Sequence, residues 1–259
     1  MRGQLQTIQK EAYSLMTISS LSSLLFQTVP SYEQNLATLL GLVAKTKQGE
    51  FIVAPEVCLT GYDYENLQGA ANFTKVAIEE LKKATQNKAL VVTMLTEKEK
   101  LFYNTAYVFY NGEVVHTQPK AKLFKFGEEH CYLQAGVEED IIACKLGSLH
   151  VGVLICFELR FKHLWQKLEG VDIVAVPSLW GILREQNYKV LTTSLAIMNQ
   201  CYVVCSDSQN AEFTRQSGVI TPFGKEYRNE GEPIRSVDFD PKEIKAMRRY
   251  MDTGITPCS

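Results

Sequence analysis

Apolar positions along the chain follow two rhythms in turn, one of period two and one near 3.6, so strands and helices are predicted to alternate. Ser23 to Thr28 reads as a first strand. Ser31 followed by Gln34 resembles a capping box, and Leu36, Leu39, Leu40 and Val43 then form the i, i+3, i+4, i+7 stripe of a helix that ends near Gly49. Glu50 to Glu56 is a short buried strand, halted by Pro55 and opening into a polar loop. Phe73 to Lys83 is predicted helical and Ala89 to Leu95 extended. Phe102–Tyr110 and Glu113–Thr117 flank Asn111-Gly112, the dipeptide favoured in a type I′ hairpin turn.

Val151 to Cys156 reads as a strand running into a helix, with Phe161, Leu164, Trp165 and Leu168 on one face and Gly170 at its close. Asp172–Pro177 and Cys201–Ser206 are strands on either side of a helix through Leu195 and Ile197. Strands near Ser217–Thr221 and Ile234–Phe239 join through a turn at Pro222–Lys225, and a last helix follows Pro241. Alternating elements that include hairpins give an α/β chain with mixed sheets covered by helices, without the uniform order of a barrel. No repeat or linker divides it, so residues 23–259 are read as one domain behind an N-terminal extension, residues 1–22.

Bulk properties narrow the partners. At 259 residues the chain can bury a sizeable core, and a net charge of −2 argues against nucleic acid as its main partner. No run reaches the roughly 18–20 apolar residues of a membrane helix, so no membrane is expected. Tyr13 to Phe26 is mildly apolar but rich in Ser, and lacks the dense apolar centre and cleavage site of a signal peptide. Seven cysteines at irregular spacing are not a disulfide framework. Cys201 and Cys205 have no second ligand pair, so no metal site is expected, and the reading is reduced thiols in a cytoplasmic protein.

The chemistry centres on Cys156, at the end of a buried strand where a helix begins. A helix N-terminus lowers a thiol pKa and binds an oxyanion, although a Cys there can equally be filling core space. A nucleophilic Cys needs a base, usually His, and the chain has four: His116, His130, His150 and His163. His163 lies about 10 Å along the same helix at ~1.5 Å per residue, out of reach of the thiol. His150 is farther, His116 ends a hairpin strand, and His130 stays open. Glu56, at the carboxyl end of its strand, and Lys120, just after the hairpin, are other candidates, each weak alone because most Glu and Lys are solvated.

Taken together, Ala-Pro-Glu-Val-Cys-Leu-Thr-Gly-Tyr (54–62), Lys-Ala-Lys-Leu-Phe (120–124) and Ile-Cys-Phe-Glu-Leu-Arg-Phe (155–161) resemble the three signature segments of the nitrilase superfamily of carbon–nitrogen hydrolases, in the family's order. The resemblance runs from about Leu24 to Asp238 and takes in Asn35-Leu36, Asn104, Glu129 to Gly136, Pro177 to Trp180 and Ser217 to Gly224. It implies a four-layer αββα sandwich and a Glu-Lys-Cys triad: Glu56 as general base, Lys120 as cation and Cys156 as nucleophile. Lys122 competes for the cation's place, but Lys120 fits the motif's spacing to Leu123. Glu129 is implied as an auxiliary Glu orienting Lys120, and Arg160 as a structural ion-pair partner. Departures from the pattern are Pro119, Lys122 and the stretch Ser194 to Asn199, which lacks the usual Arg and Glu.

The implied reaction cleaves a non-peptide C–N bond of a small amide or N-carbamoyl compound through a Cys thioester, releasing ammonia and an acid, with no cofactor. Pocket candidates are Tyr62, Glu129, Phe157 and Trp180, and an acidic Glu129 favours neutral or cationic amides. A homodimer or larger homo-oligomer, packed through a shared helical face, is implied as well. Two alternatives stand beside this: an idle binding or scaffold protein on the same fold, and a Cys–His hydrolase that uses His130.

Overall fold

Strands whose side chains alternate between two cores set the architecture. In the computed structural model, which describes residues 16–258, one six-stranded sheet contains β1 (Ser20–Leu24), β2 (Glu50–Val53), β3 (Ala89–Lys98), β4 (Leu101–Tyr110), β5 (Glu113–Pro119) and β12 (Ile234–Asp238), in the order β12-β1-β2-β3-β4-β5. The second holds β6 (Cys144–Leu146), β7 (Leu149–Val153), β8 (Ile173–Pro177), β9 (Tyr202–Ser206), β10 (Gly218–Ile220) and β11 (Glu226–Arg228), in the order β11-β10-β9-β8-β7-β6. Each sheet has a parallel centre, β1-β2-β3 and β7-β8-β9, with antiparallel neighbours outside it.

Leu21, Phe51, Val53, Val91 and Val108 join Val151, Val153, Ile173 and Ala175 in a core between the sheets. Their sequence neighbours Ile52, Leu90, Val92 and Phe109 face the other way, onto Leu36, Leu39 and Val43 of α1 (Tyr32–Lys45) and Ala77 and Leu81 of α2 (Leu67–Ala84). Leu164 of α4 (Lys162–Lys167) and Tyr188 and Leu195 of α5 (Glu185–Met198) cover the second sheet. The short α3 (Glu129–Tyr132) lies beside the candidate site, and α6 (Pro241–Tyr250) starts on Asp240 as its N-cap. The result is the expected αββα sandwich of mixed sheets.

Local chemistry agrees with much of the pattern. Ser31 Oγ accepts the Gln34 N–H at 3.2 Å at the head of α1, and Asn111 and Gly112 take φ of +50° and +81° as a type I′ turn requires. Differences have physical causes. β1 begins at Ser20, three residues before the expected start, because Ser22 and Ser23 are satisfied inside the molecule. Ser22 Oγ reaches Glu50 and Ser236, and Ser23 Oγ donates across to the second sheet at the Cys205 carbonyl, 2.8 Å. α2 begins at Leu67 instead of Phe73, capped by Asn66, whose side chain accepts the Gly69 N–H at 3.1 Å. The helix expected at Cys156 is a 3₁₀ turn, Cys156–Arg160, and α4 follows it. Of the expected extension, residues 1–15 lie outside the described residues. Among the described residues no helix is long and apolar enough to cross a membrane.

Candidate active site

Sharp turns at strand ends bring the candidate groups together. Beyond β2, the Ala54 N–H donates to Val91 in the first sheet (2.9 Å) and the Glu56 N–H to Ser178, just past β8 in the second (3.2 Å). The chain then turns at Val57, with φ of +39°, fastened by its N–H to Thr93 Oγ1 at 2.6 Å. Lys120 follows β5, where its N–H donates to the Asn104 carbonyl at 2.8 Å. Cys156 ends the β7 segment with φ of +48°, and Glu128, just before Glu129, has φ of +59°. Left-handed backbone is costly for residues with a Cβ, most of all a β-branched one. Such strain gathers where the surrounding structure must hold a particular geometry.

Glu56, Lys120 and Glu129 form one buried polar cluster, with side-chain exposures of 1%, 0% and 5%. Lys120 Nζ donates to Glu56 Oε1 (2.7 Å), Glu129 Oε1 (2.8 Å) and the Tyr62 hydroxyl (3.1 Å), which uses all three ammonium hydrogens. The Tyr62 hydroxyl lies 2.7 Å from Glu56 Oε1 and 3.0 Å from Glu129 Oε1, and its single proton serves one of them at a time. Asn104 Nδ2 donates to Glu56 Oε1 at 2.8 Å and to the Tyr62 hydroxyl at 3.0 Å. Glu129 Oε2 accepts the Phe124 N–H at 3.0 Å.

Glu56 is therefore used asymmetrically. Oε1 accepts from Lys120, Tyr62 and Asn104, whereas Oε2 accepts from the Leu179 N–H at 3.1 Å. The Leu179 carbonyl in turn faces the Cys156 thiol at 3.7 Å. One residue thus joins the carboxylate to the sulfur, and the less occupied oxygen is the one on the Leu179 side.

Protonation follows from burial and charge. Burial and the Glu56 charge push the Cys156 thiol well above its ordinary value, against the pull of Lys120, so the resting sulfur is a neutral thiol. Burial works against the Lys120 ammonium, but Glu56 and Glu129 outweigh it and hold the ammonium charged. Burial raises the Glu129 carboxyl, an effect that Lys120 opposes, and burial with both carboxylates keeps the Tyr62 phenol protonated.

A cleft with about 230 Å³ of empty space, part of it open to solvent, lies beside the thiol, lined by Phe124, Cys156, Phe157, Leu179 and Trp180 with Arg160 and Arg184. Phe157 and Trp180 line this space, while Tyr62 and Glu129 lie in the buried charged cluster. Arg160 is not the expected structural ion-pair partner. Its guanidinium donates to Asn187 Oδ1 at 2.9 Å and sits 5.1 Å from the Trp180 ring centroid. Lys122 is bound to Glu138 over the Phe161 ring, away from Glu56. His130 is exposed in an outer groove with Phe126, and it does not line the Cys156 cavity.

Four residues of this region escaped the sequence reading. Leu179 acts through its backbone, which leaves no side-chain signal. Arg184 stands after a 3₁₀ turn and contacts the Phe124 ring from 5.0 Å. Glu158 accepts the N–H groups of Ile155 and Ala121, each at 2.7 Å. Asp207 Oδ1 accepts the Trp180 N–H at 3.0 Å and its Oδ2 the Thr214 N–H at 3.0 Å. Glu158 was visible within the third signature segment, but its partners were not.

Comparison with known proteins gives a consistent picture. Residues 16–249 match the family model described as carbon–nitrogen hydrolase. A 2-oxoglutaramate amidase of Bacillus subtilis is 29% identical over 217 residues, spanning 79% of this chain and 83% of that protein. The omega-amidase YafV of Escherichia coli is 28% identical over 182 residues, spanning 68% of this chain and 70% of that protein. Among solved structures, a CN-hydrolase superfamily protein of Xanthomonas campestris superposes with a TM-score of 0.77 at 19% identity, covering 90% of this chain and 95% of that one. A nitrilase-superfamily amidase of Nesterenkonia gives a TM-score of 0.77 at 18% identity, covering 92% and 97%.

Proposed function

Since the chain belongs to the carbon–nitrogen hydrolase family, whose members are enzymes that hydrolyse non-peptide C–N bonds, we propose that it cleaves the C–N bond of a small amide with Cys156 as nucleophile, Glu56 as general base and Lys120 as oxyanion partner. The observation that carries this reading is the Leu179 bridge: the thiol and the less occupied oxygen of Glu56 meet the same residue. The two amidases similar in sequence support an amide over a nitrile.

In this mechanism Glu56 Oε2 takes the thiol proton as sulfur bonds to the amide carbon. The tetrahedral oxyanion is held by Lys120 and the Phe157 N–H, Lys120 releasing Tyr62, its longest contact, to make the new bond. Glu56 passes its proton to the leaving nitrogen, the C–N bond breaks and ammonia departs. Glu56 then takes a proton from water, whose oxygen attacks the thioester. The C–S bond breaks, the acid leaves and the proton returns to sulfur. Glu129, Tyr62 and Asn104 hold Glu56 and Lys120 in place and take no proton through the cycle.

A high thiol pKa fits a base that acts during attack and not before it. It requires that alkylation of Cys156 by iodoacetamide be slow at neutral pH in the resting enzyme, while ammonia release from small amides is abolished in Cys156→Ala. Ammonia release undiminished in that variant removes the proposal. The same reading takes the protein as a cytoplasmic homo-oligomer: its seven cysteines are free thiols, and the turn into α5, together with that helix, presents Leu183 (95% exposed), Val190 and Met198 (63%) on the surface.

A further inference from the structure

Four polar atoms close a ring inside the buried cluster. Lys120 Nζ lies 2.7 Å from Glu56 Oε1 and 2.8 Å from Glu129 Oε1, and the Tyr62 hydroxyl lies 2.7 Å and 3.0 Å from the same two oxygens. We propose that Tyr62 is a positioning residue whose hydroxyl proton turns from Glu56 to Glu129 as Glu56 takes up a proton, and turns back as Glu56 releases it. This deepens the amidase reading, from which it takes Glu56 as the base of the Cys156 thiol.

Donors and acceptors around the phenol carry the inference. The Tyr62 oxygen accepts from Lys120 Nζ at 3.1 Å and from Asn104 Nδ2 at 3.0 Å, which uses both of its lone pairs. Its single proton faces two carboxylate oxygens and can serve only one. Lys120 donates to both of those oxygens, so neither lacks a partner whichever way the hydroxyl points. The proton has two seats of similar geometry, and charge decides between them. A hydrogen bond to an ionised oxygen is roughly twice as strong as one between neutral groups. With both carboxylates charged, the shorter contact seats the proton on Glu56. Once Glu56 Oε2 has received the thiol proton, Glu56 is neutral and Glu129 is the stronger acceptor. The hydroxyl then turns about its C–O bond, and no bond to the phenol forms or breaks.

The surrounding groups agree. Burial and the two carboxylates hold the phenol protonated, so its proton stays available to turn. The charged and titratable groups that face it are Glu56 beyond β2, Lys120 after β5, Glu129 on α3 and the Cys156 thiol after β7. Tyr64, on the same loop as Tyr62, has its ring 5.6 Å away. In the proposed cycle Glu56 alone changes charge within the ring. Lys120 leaves Tyr62 for the oxyanion at the same stage, and the arriving hydroxyl proton compensates Glu129 for the weakened ammonium. The Glu129 charge is held by Lys120 and lies outside the cleft lining, so it does not favour neutral or cationic amides as its type alone suggested.

Alkylation of Cys156 by iodoacetamide, followed by peptide mass across a range of pH, tests this with no amide present. Glu56 is the base for the thiol there too, and its protonation sets the acid limb of the rate. Tyr62→Phe removes the hydroxyl and keeps the ring. In the Glu129→Gln background the proton has Glu56 as its one carboxylate seat. Its loss there should move the limb up by about one to two pH units, the worth of a hydrogen bond to a charged group. With Glu129 in place the second seat offsets part of that loss, and the same substitution should move the limb clearly less. A tyrosine that only fills space lowers the rate and moves the limb equally in both backgrounds. Fluorotyrosine at position 62, a stronger donor of nearly the same shape, should move the limb down, again further in Glu129→Gln, and it replaces a phenylalanine variant that fails to fold. Displacements equal in the two backgrounds, or larger with Glu129 in place, overturn the switch. Ammonia release from small amides over the same pH range separates the two claims. Unequal displacement with no amide cleaved upholds the switch and defeats the amidase reading. Amide cleavage with equal displacement does the reverse.

Discussion

The Glu158 carboxylate accepts the backbone N–H of Ala121 at 2.7 Å, across 37 residues of sequence. Its other oxygen accepts the Ile155 N–H at 2.7 Å. Ala121 follows Lys120 and Ile155 precedes Cys156, so one buried side chain ties the Lys120 segment to that of Cys156. The two groups sit on different sheets, and this clamp fixes one against the other.

Replacing Glu158 with Gln should therefore destabilise the protein. A carboxylate can accept both N–H groups, whereas an amide presents one of them with a second donor. Leaving a buried donor unpaired costs about 1–3 kcal/mol, which corresponds to a fall in Tm of roughly 2–12 °C for a chain of this size. Scanning calorimetry of Glu158→Gln checks this, and an unchanged Tm contradicts the clamp.

Stability should also fall as pH rises toward neutrality. Burial raises the Glu158 carboxyl from 4.5 to about 7, and burial raises Asp207 from 3.8 to about 7, in both cases against their hydrogen-bond donors. Each keeps its proton in the folded state where the unfolded chain has lost it. Their contribution is thus complete below the unfolded values and is lost as pH climbs through about 7, at about 3–4 kcal/mol per group. Tm measured across this window should decline with pH in the native protein and less steeply in Asp207→Asn. Parallel profiles count against the assignment.

Lys120 and Lys122 should differ sharply although only one residue lies between them. Lys120→Met strands Glu56 and Glu129 in the interior without a cation, at a cost of about 3–5 kcal/mol. In the proposed mechanism it also removes an oxyanion donor, worth about 100- to 1,000-fold in rate. Lys122→Ala breaks a partly exposed pair with Glu138 and should cost at most about 1 kcal/mol. Paired measurements of Tm and ammonia release distinguish them, and similar losses in the two variants refute the placement.

The exposed apolar residues flanking and on α5, Leu183 before it and Met198 at its end, are expected to contact another copy of the chain. Leu183 is 95% exposed and Met198 63%, more than a lone surface residue of this type needs. Sedimentation of the native protein should show a dimer or larger assembly, and Leu183→Glu should shift it toward the monomer. A native protein that sediments as a monomer contradicts this.

The sequence was most legible where the candidate groups stand in compact segments. Glu56, Lys120 and Cys156 each stand in such a segment, and the family resemblance supplied the αββα architecture around them. Features that depend on distant partners were hidden. Ser22 and Ser23 of β1 read as polar and displaced its start, because Glu50, Ser236 and Cys205, which satisfy them, are far away in sequence. β6 and β11 are three residues each, too short to show alternation. Leu179 meets Glu56 and Cys156 through its peptide groups, and the approach of Arg184 to the Phe124 ring depends on the 3₁₀ turn that carries it.

The central claim is that Cys156 carries the acyl group, and intact-mass spectrometry during turnover of a small amide tests it most directly. The account predicts a transient adduct equal to the substrate less ammonia, mapped to the peptide containing Cys156, absent in Cys156→Ala and discharged by hydroxylamine as the hydroxamate. Ammonia released at an undiminished rate by Cys156→Ala, with no adduct on the native protein, would contradict it.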